Sequence, residues 1–427
     1  MSLEHAPGLI VTINSDGDGM QMRGSAVQSM GLMISVLLVA LNLRPSMAAV
    51  GPLLVAIRLD LPLGFGTASL LTMLPVMSMG LAMFFGMGIA RYLGSYRSIL
   101  LSLVLIGLAT VARLFLDSAA ELILSAVLAG LGIALIQALM PALIKSRFEA
   151  NVSLCMGFYV TAIMGGAALA ASFSPLVMSS SGSWRVGLAV WSLMALLALY
   201  FWWAQRHVLR SDASTAAGLR QTFFHMPRAW MLGIFFGLGT ESYTCVLAWL
   251  APYYLENGWS EQSAGLLLGF LTLMEVVSGL LAPALANRSR DKRMALVVLL
   301  TFMMIGFAGL ILMPQQLGLL WTCLLGLGIG GLFPLSLIVS MDHFDDPQQA
   351  GGLTAFVQGV GYLIASLSPL LAGVIRDLTG SFEGAWWALM ALVAIMLLMV
   401  VRLDPRRYAD HLRNALDEPV ITGREAA

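Results

Sequence analysis

Long apolar blocks separated by short polar or charged clusters run through most of this 427-residue sequence. About 20 consecutive apolar residues are enough for a helix to cross a bilayer. Twelve blocks approach that length, so we predict an all-α membrane protein with twelve transmembrane helices. The predicted spans are 30–56, 67–89, 98–116, 121–143, 153–173, 185–205, 229–250, 262–286, 294–313, 318–340, 352–375 and 384–402.

The composition supports this class, because 59% of the residues are hydrophobic and only 11% are charged. Soluble domains average about 25% charged residues. The net charge of zero favours neither nucleic acid nor an acidic partner. The three cysteines lack CxxC spacing and the five histidines lie outside the apolar blocks, so we expect no disulfide framework and no metal site. The GxSxG, HExxH and Walker motifs are absent from the sequence, so we expect neither an enzyme nor a cofactor.

Lysine and arginine are unevenly distributed between the two sides of the predicted bundle. With the N-terminus in the cytoplasm, 18 of the 23 lie on the cytoplasmic side, four lie on or near the outer side, and Arg44 lies within the first span. Cytoplasmic loops are enriched in positive charge, so we predict a multi-pass protein of the cell (inner) membrane with both termini in the cytoplasm. The predicted parts are a cytoplasmic tail (1–28), a six-helix half (29–205), a cytoplasmic linker (206–228), a second six-helix half (229–402) and a cytoplasmic tail (403–427).

The two halves repeat each other. Residues 68–71 match residues 264–267, and residues 130–133 match residues 326–329, both at an offset of 196, and a third match follows at an offset of 194. Parallel repeats with a binding site at their interface near mid-membrane are a recurrent transporter architecture. Residues 326–331 also satisfy GxGxxG, but they follow no predicted strand, so we interpret their glycines as close helix packing.

Arg44 lies near the middle of the first span, in the sequence Leu41-Asn42-Leu43-Arg44-Pro45. An arginine at that depth costs at least about 2.5–3.5 kcal/mol on insertion scales, so its side chain must face protein or a wet cavity. Pro45 cannot donate a hydrogen bond and its ring collides with the Leu41 carbonyl, so we predict a kink. Arg44 then either binds a substrate anion or pairs permanently with a carboxylate from another helix.

Two carboxylates, Glu241 and Glu275, lie inside predicted spans. At the repeat offset of 196, Arg44 corresponds to Thr240, so the adjacent Glu241 is expected at the depth of Arg44 on the opposite half. We predict Glu241 as the first candidate for a counter-ion or proton carrier. Glu275 has no such symmetry argument and is the second candidate for proton coupling. The alternative for each is a static carboxyl group.

Other polar side chains inside the spans can donate hydrogen bonds to a bound anion. Asn42 is two residues from Arg44, and positions two apart on a helix do not share a face. Each of these residues has the alternative role of an ordinary interhelical hydrogen bond. Arg113, near the outer end of its span, either extends to the interface or attracts anions to the entrance. The candidates that accompany Arg44 in substrate binding are Asn42, Gln137, Tyr159, Tyr243 and Gln358, with Tyr362 close by on the eleventh span.

The sequence resembles the major facilitator superfamily and, within it, the cyanate transporter family that also includes nitroimidazole exporters. The stretches that carry the resemblance are 41–45, 51–54, 70–75, 137–141 and 144–148, and it covers nearly the whole transmembrane region. Between spans two and three the superfamily loop is present, with conformational positions Gly86, Arg91, Gly94 and Arg97. It departs at Ala90, where the superfamily usually has an aspartate that latches the outward-facing state.

The resemblance implies alternating access, in which the two halves rock about a central site. An anion entering a cell against an inside-negative potential loses about 2.3 kcal/mol per 100 mV. Uptake therefore requires proton coupling, anion exchange or rapid consumption inside. We expect a secondary transporter of a small cyanate-like anion, in which protons and the lipid bilayer are the other partners and a monomer suffices. The alternatives are an exporter of a small neutral drug such as a nitroimidazole and, as a third class, a membrane sensor or enzyme.

Overall fold

The computed structural model describes residues 30–61, 65–209 and 223–408. The predicted tail at 1–28, most of the predicted linker and the end of the predicted C-terminal tail lie outside these residues. All regular structure within the described residues is helical. This confirms the predicted all-α class.

The first six crossings are built from nine helices, and residues 42–44 interrupt the first crossing. The first crossing is interrupted and consists of three pieces, and the sixth is made of two. In chain order the helices are α1 (30–41), α2 (Pro45–Ala48), α3 (Val50–Asp60), α4 (Phe65–Leu93), α5 (Ser95–Ala112), α6 (Ala119–Arg147), α7 (Val152–Ser181), α8 (Trp184–Ala189) and α9 (Ser192–Ala204).

The last six crossings are single helices. A short helix, α10 (Arg206–Leu209), precedes the undescribed part of the linker. The six crossings are α11 (Pro227–Glu256), α12 (Glu261–Ala286), α13 (Arg293–Leu312), α14 (Gly318–Met341), α15 (Pro347–Thr379) and α16 (Glu383–Val400).

Eleven segments of the described chain are long and apolar enough to cross a membrane, and Met73–Phe85 within α4 supplies a shorter apolar stretch. Local signals mark several helix ends, and some of these lie beyond the predicted span limits: α7 ends at Ser181 rather than 173, and α15 begins at Pro347 rather than 352. Ser118 and Glu121 form a capping box at the start of α6, and Asp346 accepts the Gln349 amide at the start of α15. Gly182, with φ near +70°, closes α7 in the left-handed conformation that favours glycine.

The sequence repeat corresponds to a repeated contact. A Cβ added at Gly130 of α6 would lie 2.8 Å from the Pro75 carbonyl of α4, and one at Gly326 of α14 would lie 2.7 Å from the Leu271 carbonyl of α12. Both pairs are related by the offset of 196. The glycines of the GxGxxG sequence therefore allow helix backbones to approach closely, as predicted.

The two halves contact each other mainly toward one end of the bundle. We call the end at which α9 ends and α11 begins the linker end, and the opposite one the far end. Phe84 of α4 packs edge-on against Phe356 of α15. In the last turn of α6, Lys145 donates hydrogen bonds to the carbonyl of Met341, the last residue of α14, and to that of Phe344 just after it. All three contacts lie between mid-bundle and the linker end.

At the far end, Arg185 and Arg376 each form ion pairs within their own half. Arg185 pairs with Asp60 and Asp117, and it joins the end of α3 to the start of α6 and α8. In the second half Arg376 pairs with Glu256. The described structure is therefore closed at the linker end.

Candidate substrate site

The first crossing is broken at Asn42-Leu43-Arg44. The amides of Asn42 and Leu43 reach back only three residues, to Val39 and Ala40, and α2 begins at Pro45. Proline at the first helical position has no amide to satisfy. The predicted kink is thus a full interruption. Because no continuous helix runs through these residues, the expectation that Asn42 and Arg44 lie on different faces of one helix does not apply.

The break is seated on α7 through the Leu41 carbonyl. A Cβ at Gly166 would fall well inside the 3.0 Å that real Cβ atoms keep from other atoms, with Leu41 O, C and Cα as the nearest atoms. A Cβ at the adjacent Gly165 would lie 3.7 Å from the Leu41 side chain, an ordinary contact distance. Gly166 therefore provides the space into which the backbone of the break fits.

Arg44 is half-buried and lies beside a group of tyrosines. Its Cζ is 6.0 Å from the centre of the Tyr362 ring. Its charge also lies within electrostatic range of Tyr159 and Tyr243. Among the described residues no carboxylate lies within 4.0 Å of the guanidinium, and its buried Nε has no hydrogen-bond partner. The permanent ion pair considered above is therefore not present in this part of the chain.

Three of the predicted polar residues form a bridge between the halves. The Tyr362 hydroxyl donates to Gln137 Oε1 at 3.1 Å, and Gln358 Nε2 donates to the Gln137 carbonyl at 3.4 Å. Buried polar atoms nearby are left without partners, namely Gln137 Nε2, the Tyr159 hydroxyl and Asn42 Nδ2. Native proteins leave few such atoms unpaired, and a concentration of them favours a binding site.

The two intramembrane carboxylates differ in their surroundings. Glu241 is half-buried, and its backbone carbonyl accepts hydrogen bonds from Thr244 and Ser368. Glu275 is 1% exposed, and neither carboxyl oxygen has a hydrogen-bond partner among the described residues. Tyr243 lies within electrostatic range of both Glu275 and Arg44. Tyr243 therefore lies near both Glu275 and Arg44, although neither Glu275 nor Glu241 forms an ion pair with Arg44 among the described residues.

A small cavity lies beside this group, with walls formed mainly by the second half and by Met164 of α7 in the first half. It is large enough for about one water molecule and its walls are mostly aromatic and aliphatic. Tyr243 belongs both to the cavity wall and to the Arg44 group. The other principal wall residues are Met164, Phe236, Leu332, Phe333 and Ser336.

The predicted conformational loop adopts a plain helix–turn–helix shape. α4 continues through Gly86 to Leu93, and Gly94 takes φ near +78° before α5 begins. Arg91 and Arg97 are exposed and make no ion pair with described residues, and Ala90 is buried. A charged contact between the halves at this end is made by Lys145.

Lys145 lies opposite the C-terminal carbonyls of α14, where the helix dipole attracts cations. We expect Lys145→Met to shift the molecule about ten- to a hundredfold toward opening of the linker end, because charge-assisted hydrogen bonds contribute about 1.5–3 kcal/mol. The measurement is the maleimide labelling rate of the buried Cys155, near this end of α7, with Cys245 and Cys323 replaced by alanine.

Lys292→Met is the matched control for that experiment. Its ammonium group donates to the Ala286 and Ser289 carbonyls within one half, so its loss removes a similar bond without separating the halves. An equal increase in Cys155 labelling in both variants, or no increase in either, would contradict the role of Lys145.

Arg113 was interpreted wrongly from the sequence. It neither extends to the interface nor faces an entrance, but is completely buried and donates to the Ser46 carbonyl and the Ser125 hydroxyl. The sequence gives no signal that could pair these residues, since they are 67 and 12 positions away. A buried arginine at the end of a span still indicates a specific partner.

Comparison with known proteins identifies related membrane transporters. A sequence model of the Major Facilitator Superfamily matches residues 32–366. The chain is 39% identical to the cyanate transport protein CynX of Escherichia coli over 379 residues, which cover 88% of this chain and 98% of that protein. It is 32% identical to the 2-nitroimidazole transporter of Escherichia coli, covering 87% and 93% of the two chains.

Solved structures show the same fold at low sequence identity. The proton:xylose symporter XylE, bound to 6-bromo-6-deoxy-D-glucose, gives a TM-score of 0.71 at 14% identity, over 88% of this chain and 96% of the other. FucP in the outward conformation gives a TM-score of 0.68 at 12% identity, over 88% and 99%. These likenesses establish the architecture.

Proposed function

This chain belongs to the Major Facilitator Superfamily, a family of membrane transporters, and from that premise we propose that it carries a small cyanate-like anion by alternating access, coupled to protons. The observation that carries the proposal is Arg44 at the helix break, facing three tyrosines without a carboxylate partner among the described residues. A guanidinium presents a planar fork of donors that suits a small anion. The similarity to a cyanate transport protein supports the same substrate class.

The distribution of charge inside the bundle also supports an anion. Segment 29–205 contains only four acidic residues, and all of them are exposed. The membrane-embedded part of the first half therefore carries the positive charges of Arg44 and Arg113 without a negative one. The second half contributes Glu241 and Glu275. A bound anion would supply the missing counter-charge at Arg44.

The contacts between the halves are consistent with one stage of an alternating cycle. The linker end is closed by Lys145 and the Phe84–Phe356 contact. With both termini in the cytoplasm of the cell (inner) membrane, as we propose, this arrangement faces outward. An anion would enter from the far end, bind to Arg44, and leave after the linker end opens.

Proton coupling is assigned to Glu275 ahead of Glu241. A proton on Glu275 removes the cost of a buried charge that has no hydrogen-bond donor. Tyr243, within range of both Glu275 and Arg44, provides the link by which anion binding and protonation influence each other. A carried proton also cancels the electrical cost of moving a monovalent anion inward.

We expect Glu275→Gln to bind the anion but to lose the stimulation of uptake by an inward proton gradient. The measurement is uptake of labelled cyanate into proteoliposomes with and without an imposed pH gradient. Glu241→Gln is the comparison variant and should retain most of the stimulation. If the gradient leaves wild-type uptake unchanged, the protein is not proton-coupled. If only Glu241→Gln abolishes the stimulation, the assignment to Glu275 is wrong.

A second candidate function is export of a small neutral aromatic drug. The similarity to a 2-nitroimidazole transporter favours it, and aromatic residues such as Phe236 and Phe333 lie beside the Arg44 group. Competition decides between the two: cyanate, and not 2-nitroimidazole, should displace a labelled anion from purified protein. Displacement by the nitroimidazole alone would favour export of the drug.

A further inference from the structure

Arg113 ties the broken first crossing to two neighbouring helices. It follows the last residue of α5 and is 0% exposed. Its Nη1 donates to the Ser46 carbonyl at 2.6 Å, and its Nε donates to the Ser125 hydroxyl at 3.1 Å. Ser125 in turn donates to the Leu122 carbonyl at 2.7 Å within α6. One side chain thereby joins α2, α5 and α6.

The charge of Arg113 is not compensated by a neighbouring acid. The guanidinium remains charged in proteins. Every acidic residue of the first half is exposed, and none lies within 4.0 Å of Arg113 in the described structure. Its Nη2 is buried without a partner. A neutral side chain could donate a hydrogen bond to the Ser46 carbonyl at a much lower desolvation cost. The buried positive charge therefore indicates a role beyond this hydrogen bond.

The place at which Arg113 acts is adjacent to the anion site. Ser46 is separated from Arg44 only by Pro45, and all three belong to the break and the four-residue helix α2. A helix of that length has too few internal hydrogen bonds to fix its own orientation. The break is held by the Leu41 carbonyl against Gly166 on one side and by Arg113 on the other.

We infer that Arg113 is the positioning residue of the anion site. Its hydrogen bond to Ser46 fixes α2 so that Arg44 faces the tyrosine group, and its permanent charge keeps the surroundings of the break positive. Arg113 acts on the anion through Arg44 and makes no contact with it. This inference rests on the proposed anion transport for its effect on affinity, but the positioning of the break is measurable without any ligand.

The test uses Arg113→Gln and Arg113→Lys in the full-length protein. We expect the glutamine variant to raise the KM for cyanate about tenfold and to leave Vmax within about twofold, since loss of the charged hydrogen bond to Ser46 lets α2 and Arg44 shift and weakens binding rather than turnover. The lysine variant, which retains the charge and one donor, should recover the KM to within about threefold. A purely architectural role would lower the amount of folded protein and leave KM unchanged.

Hydrogen–deuterium exchange of the peptide covering residues 41–49 provides the second readout, without ligand. Exchange should be faster in Arg113→Gln than in wild type. Arg185→Gln is the matched control, because Arg185 also donates to a backbone carbonyl, that of Leu116, and anchors the end of α3 away from the break. It should leave both the exchange of residues 41–49 and the KM unchanged.

Each result decides a separate question. If the wild type neither transports nor binds an anion, the proposed function fails. The exchange measurement still decides whether Arg113 fixes the break. Unchanged exchange in Arg113→Gln overturns the positioning role. With anion transport established, an unchanged KM in Arg113→Gln, or a loss that Arg113→Lys does not relieve, overturns the inference.

Discussion

Arg44→Ala is expected to abolish saturable anion uptake, with affinity reduced about a hundredfold or more. Two charge-assisted hydrogen bonds from a guanidinium contribute about 3 kcal/mol or more together, and each 1.4 kcal/mol is a factor of ten in affinity. Arg44 has no carboxylate partner within 4.0 Å among the described residues, so its removal leaves no stranded negative charge. The loss should therefore appear in binding rather than in folding.

The measurements are the dissociation constant for cyanate on purified protein and uptake into proteoliposomes. Arg44→Lys retains the charge but loses the planar fork, and we expect about a tenfold weaker affinity. Arg290→Ala, at an exposed position in the loop before α13, is the control for a general effect of losing an arginine. Wild-type affinity in Arg44→Ala would remove the basis of the proposed anion site.

Gly166→Ala is expected to be the most damaging single methyl addition in the molecule's first half. The new Cβ would collide with the backbone of Leu41 rather than with a flexible side-chain tip, so either α7 or the break must move. Overpacking commonly costs about 1–3 kcal/mol, and a rigid backbone neighbour places this case at about the upper value. We expect a lower melting midpoint and loss of transport.

Gly165→Ala is the matched comparison, since its Cβ would make only an ordinary contact with the Leu41 side chain. Melting followed by tryptophan fluorescence in detergent, together with uptake, distinguishes the two variants. Equal stability and transport in both would show that the break can shift away from α7 without consequence.

Most of the fold could be predicted because the bilayer imposes strong limits on a sequence. The predicted span 318–340 compares with Gly318–Met341, and 262–286 with Glu261–Ala286. Apolar length and the internal repeat were sufficient for these, since each helix must satisfy its own backbone within the membrane. Arg44 was identifiable for the same reason, as a charge where charges are expensive.

The site could be predicted only in part, because the local sequence does not determine which side chains meet across the bundle. The repeat offset gives the depth of Glu241 but not the direction of its side chain, whereas Glu275 lies within range of Tyr243. Pro45 predicted a disturbance at the first crossing, but its extent depends on Gly166, 121 positions after it in the chain. The contacts of Arg113 could not be predicted, because the carbonyl that accepts its hydrogen bond, that of Ser46, is distant in the sequence.

The glycine contacts between α4 and α6 and between α12 and α14 have a mechanical consequence. Where main chain rests on main chain, there is no side-chain rotamer to adjust, so these helix pairs resist sliding. Deformation is then confined to softer places, such as the aromatic contact of Phe84 with Phe356 and the flexible stem of Lys145. In the proposed alternating-access cycle, these helix pairs would therefore move as stiff units, and a small rotation at the centre would become a larger displacement at the ends of the bundle.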